Sequence, residues 1–90
     1  SAALAATRQK ILDEALQYVF DYFKATDKAP PLAKFGQRFG RRVKQLGPNV
    51  TILDVIKSDP RFEVGLNANT GAYMIMPSDF DALDAFLKRG

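Results

Sequence analysis

Arg61-Phe-Glu-Val-Gly-Leu-Asn-Ala-Asn-Thr-Gly-Ala-Tyr-Met-Ile-Met-Pro77 decides the fold. Phe62, Val64 and Leu66 alternate with Arg61 and Glu63, the period-two pattern of a half-buried strand. Asn67 to Gly71 is turn chemistry, because Asn and Gly tolerate positive φ. Tyr73 and Ile75 then alternate with Met74 and Met76. Two such strands around a short polar turn predict a β-hairpin. The chain on either side reads as helix, so the hairpin makes the class α+β.

Upstream, Thr51 caps a short helix, about Ile52 to Ser58, with Asp54 placed as in a capping box. Pro60 closes it. Gly47-Pro48-Asn49 ends a longer helix that runs from about Pro31 to Leu46. On that helix Leu32, Phe35, Phe39, Val43 and Leu46 fall within an arc of about 80°. Lys34, Arg38, Arg41 and Arg42 occupy a separate arc of about 100°, centred roughly 110° away. One face anchors a core, and the other offers positive charge. Gly36 and Gly40 interrupt the helix, at a cost of roughly 1 kcal/mol each relative to alanine. Tight packing against another helix is the favoured reason. Room for a ligand's sugar-phosphate backbone is the functional alternative.

Further upstream, Thr7 is placed as the cap of an amphipathic helix from Arg8 to about Lys24, with Ser1 to Ala6 frayed. Ile11, Leu12, Ala15, Leu16, Val19, Phe20 and Phe23 form its apolar stripe. Tyr18 and Tyr22 read as a half-buried pair, with base stacking as the alternative. Downstream, Ser78 is placed as the cap of a last helix, Asp79 to Lys88, with Phe80, Leu83, Phe86 and Leu87 apolar. The 90 residues make one domain: a core over 7–77 and a C-terminal helix over 78–89.

Composition narrows the function. The chain has no Cys, His or Trp. Zinc and haem sites built on Cys or His are excluded, as are Ser-His-Asp and Cys-His triads. No apolar run approaches the roughly 20 residues of a membrane span. Asp54, Asp59, Glu63 and Asp79 have no spacing that singles out a catalytic pair or a metal site. No catalytic residue, metal or cofactor is therefore expected. The N-terminal Ser-Ala-Ala lacks an initiator Met, so the chain reads as a domain of a longer protein.

The charge is unevenly distributed. Lys28 to Lys57 holds seven basic residues and one acidic, net +6, while the remainder holds six basic and nine acidic, net −3. Such asymmetry suggests a polyanion partner for the middle of the chain. Three helices followed by a hairpin is the order of a winged helix, with Asn67 to Gly71 as the wing tip. In a helix-turn-helix the second helix of the pair reads the major groove. Here that helix is short and mostly apolar, with Lys57 as its only basic residue. Charge-led binding of RNA is thus expected ahead of sequence-specific reading of DNA. Phosphates are expected at Lys34, Arg38, Arg41, Arg42 and Lys44, with Lys57 and Arg61 extending the patch.

Pro31-Leu-Ala-Lys-Phe-Gly-Gln-Arg-Phe39, Val50-Thr-Ile-Leu-Asp-Val-Ile-Lys-Ser-Asp-Pro-Arg-Phe-Glu-Val64 and Gly71-Ala-Tyr-Met-Ile75 resemble LOTUS (OST-HTH) domains. The likeness spans roughly residues 10 to 77 and rests mostly on core and turn positions. The paired glycines and dense arginines of the second helix depart from it. The resemblance implies an RNA-associated, non-catalytic module, some members binding RNA that includes folded guanine-rich forms. Its extended type carries a C-terminal helix and can bind a DEAD-box RNA helicase. On that alternative, Phe80, Leu83 and Leu87 would meet a protein partner unless they close the core.

Overall fold

The computed structural model describes residues 1–89. Strand β1 (Phe62–Leu66) pairs antiparallel with β2 (Tyr73–Pro77), in a register that sets Phe62 against Pro77 and Leu66 against Tyr73. Gly71 alone in the turn takes a positive φ, 73°. Asn67 holds the turn by its side chain, whose Oδ1 accepts from the Asn69 and Thr70 amides at 3.0 and 3.3 Å. Leu66 is not half-buried as its alternation predicts. It is 65% exposed and Tyr73 opposite is 43% exposed, because the hairpin runs one residue pair beyond the body it packs on.

Helix α1 (Ala2–Thr26) is longer than the sequence pattern predicts. Ala2 to Ala6 contains four alanines and a leucine, strong helix formers that carry the helix back to a Ser1 cap. The expected cap, Thr7, sits inside it and donates its hydroxyl to the Ala3 carbonyl at 3.0 Å. The helix ends at Asp27, which takes the left-handed conformation (φ 58°) and donates its amide to the Phe23 carbonyl. The following segment is more than a connection. The Ile75 amide donates to the Pro30 carbonyl at 3.0 Å, and Pro31 bridges Met74 on the free edge of β2.

Helix α2 (Leu32–Lys44) follows at once, with Pro31 in the cap position. Helix α3 (Ile52–Lys57) carries both halves of the capping box: Asp54 donates its amide to Thr51 Oγ1 at 3.1 Å, and the Thr51 amide donates to Asp54 Oδ2. Helix α4 (Phe80–Lys88) is capped by Asp79, whose Oδ1 accepts from the Ala82 amide at 3.0 Å. Ser78, the expected cap, joins the two ends of the hairpin instead. Its hydroxyl donates to the Pro60 carbonyl and its amide to that of Arg61.

The core is made by Ile11, Leu12, Ala15 and Val19 of α1, Phe35, Phe39 and Val43 of α2, Val55 and Ile56 of α3, and Phe62 and Ile75 of the hairpin. Helix α4 packs on α1, with the Phe86 and Phe20 rings 5.3 Å apart and Leu83 only 5% exposed. Among the described residues, no helix is long and apolar enough to cross a membrane.

Candidate nucleic-acid interface

Burial of Phe35, Phe39 and Val43 fixes the rotation of α2 about its axis. At about 100° per residue, Lys34, Arg41 and Lys44 then fall on the opposite side and Arg38 on the flank toward α1. All four are exposed, and none is within salt-bridge distance of an acid among the described residues. Arg38, Arg41 and Lys44 line a shallow furrow of about 360 Å³ together with Gly36, Gln37 and Gly40. A methyl group in place of the hydrogen at Gly36 or Gly40 would meet nothing within 4 Å. The expected close helix–helix contact is therefore absent there. The glycines open the helix backbone outward, beside the cations.

Two of the seven basic residues expected at phosphates are held by other side chains. Arg42 is half-buried and pairs with Glu14 of α1. The hydrogen bond from Arg42, reinforced by its charge, holds the Glu14 carboxyl below its ordinary range against the opposing effect of desolvation. Arg61 is clamped by two acids. Its Nε and Nη2 donate to the Asp59 carboxylate at 3.0 and 2.7 Å, and Nη2 lies 2.9 Å from Asp13. Asp59 is buried and is likewise held below the ordinary carboxylate range, first by the Arg61 side-chain hydrogen bond. Charge counting alone does not separate free cations from paired ones: Glu14 lies 28 residues from Arg42, and Asp59, though only two residues from Arg61, is counted without regard to pairing. Lys57 is exposed on α3, outside the α2 furrow.

The α1–α2 seam adds groups that the charge pattern does not contain. The Arg38 guanidinium lies over the Tyr18 ring, 5.1 Å from its centre. Tyr18 meets Phe35 edge-on at 5.3 Å, and Tyr22 lies beside it at 6.0 Å. Burial pushes the Tyr18 phenol up. The helical spacing of Tyr18 and Tyr22 is legible in the sequence. The cation that covers Tyr18 is not.

The expected partner face divides. Leu83 is buried and Leu87 half-buried, whereas Phe80 is 51% exposed. Phe80 borders a concavity of about 630 Å³, together with Leu16, Phe20, Pro60, Arg61 and Pro77. The acidic residues have local partners: Asp54 and Asp79 cap helices and Asp59 holds Arg61. No group of three or more acidic side chains placed to hold a metal ion occurs among the described residues.

Comparison with protein families, curated proteins and solved structures returns no significant match. The likeness to LOTUS domains thus rests on the residues quoted for it.

Proposed function

We propose that this chain is a non-catalytic, nucleic-acid-binding module of winged-helix type, and that it binds RNA ahead of DNA. The observation that carries the reading is a set of cations with no acid partner among the described residues: Arg38, Arg41 and Lys44 line an open glycine furrow on α2, and Lys34 is exposed on the same helix. A phosphodiester chain approaches a helix backbone closely only where side chains are missing, and glycine supplies that clearance. The winged-helix reading is supported by the order of α1, the Pro31 edge bridge, α2, α3 and the hairpin. Helix α3 presents no cluster of base-reading side chains, which favours backbone- and shape-led contacts over major-groove readout.

A triple reversal, Lys34→Glu, Arg41→Glu and Lys44→Glu, tests the reading on a fluorescein-labelled RNA. Binding should fall by at least a hundredfold with the helical circular dichroism unchanged, since all three side chains are solvent-exposed. Retained affinity would remove α2 as the interface. A second reading, docking of a protein partner such as a DEAD-box helicase, draws on exposed Phe80 beside the larger concavity. It predicts that Phe80→Asp abolishes capture of that partner while leaving RNA binding intact.

A further inference from the structure

The contacts between α1 and α2 keep one antiparallel register. Glu14 pairs with Arg42, and one turn on Tyr18 lies under Arg38. One further turn along α1 carries Tyr22, whose ring lies 6.0 Å from that of Tyr18. The seam thus holds an acid–base pair, Glu14–Arg42, and one turn on a tyrosine–arginine pair, Tyr18–Arg38. Tyr22 is half-buried, its ring tilted 53° to that of Tyr18, and unlike Tyr18 it is not among the side chains packed against the hydrophobic core.

From the seam outward around α2 come Lys34 and Arg38, then Arg41, then Lys44 and Gly40. A nucleotide laid across this order would set its base at the tyrosine–arginine edge and its phosphates over the furrow. We infer that Tyr22, with the Arg38 guanidinium stacked on Tyr18, is a stacking platform for an unpaired base. The module then selects single-stranded segments, RNA loops included, over uninterrupted duplex. The inference rests on the phosphate-binding role proposed for α2 and adds the element that reads the base. Aromatic rings and arginine planes hold splayed bases in this way because every base presents a π-face, whereas a paired base is covered by its neighbours in the stack.

The test compares a 12-nucleotide oligouridine with an abasic strand of equal length, both followed by fluorescence anisotropy at low salt. The wild-type chain should bind oligouridine at least about fivefold more tightly, the lower end of what one stacked base contributes. Tyr22→Leu should remove that difference and leave affinity for the abasic strand unchanged. Tyr22→Phe, which keeps the ring, should retain it. Equal affinity of the wild type for the two strands would overturn the platform while leaving the phosphate face standing. So would a Tyr22→Leu variant that binds both strands as the wild type does. Loss of binding to both strands already in the wild type would overturn the platform and the phosphate face together.

Discussion

Arg38 lies over the face of Tyr18, while Arg42, one turn away, is held by Glu14. The two arginines are neighbours on one helix face and have different roles. Arg42 ties α2 to α1. Arg38 has no acid partner among the described residues, so its charge is available to a ligand. The interface therefore shifts away from Arg42 and Arg61 and toward Lys34, Arg38, Arg41 and Lys44.

Gly36→Ala and Gly40→Ala should each stabilise the fold. The added methyl meets no atom, and a helix interior gains about 0.5–1 kcal/mol on exchanging glycine for alanine. The same substitutions should weaken RNA binding, because they fill the furrow. Thermal melts and an RNA titration on the double variant check both signs. Higher stability with unchanged affinity would show that no ligand approaches the α2 backbone.

Leu83 and Phe80 should separate core from surface on α4. Leu83→Ala should cost about 2–4 kcal/mol, since it removes a buried side chain between α4 and the body. Phe80→Ala should cost well under half of that, because the ring is half in solvent. Urea denaturation midpoints give the comparison.

Asp27→Gly should stabilise the chain by up to about 1 kcal/mol. Glycine adopts the left-handed conformation of this residue at lower cost. The change also removes a negative charge at the C-terminal end of α1, where the helix dipole disfavours it. A higher melting temperature is the expected result.

Acid should weaken the Asp59–Arg61 clamp. Asp59 ionises more readily in the fold than its ordinary value of 3.8, through its hydrogen bonds from Arg61. A carboxyl depressed on folding contributes stability that is fully present above the unfolded value and is lost as the pH falls through the lower folded one. Stability should therefore decline below about pH 4, and Asp59→Asn should flatten that part of the profile. At neutral pH the same variant should cost about 1–2 kcal/mol, as Arg61 keeps only Asp13. Chemical denaturation of both proteins from pH 7 to pH 2.5 measures the difference.

Much of the fold is legible in the sequence because its signals are local. Thr51 and Asp54 specify the start of α3, and alternation with a polar turn specifies the hairpin. The helix ends at the N-terminus and at α4 are less legible, since several residues there can cap. Thr7, Ser78 and Asp79 are all competent, and long-range partners decide among them, as the bond from Ser78 to Pro60 illustrates. The site follows the same division. Periodicity finds the basic face of α2, but the loss of Arg42 to Glu14 and of Arg61 to Asp13 depends on how α1 is laid against the rest, while the Asp59–Arg61 pair is local and needs the turn before β1. The two glycines read as close packing because sequence gives their cost and not their surroundings.

The salt dependence of RNA binding tests the central claim most directly. Four phosphates held by Lys34, Arg38, Arg41 and Lys44 on a single strand should give a slope of log affinity against log salt of about −3. Arg41→Gln should reduce the magnitude of that slope by about 0.7, one phosphate's share. A flat salt response, or an Arg41→Gln slope equal to that of the wild type, would contradict a phosphate-binding face on α2.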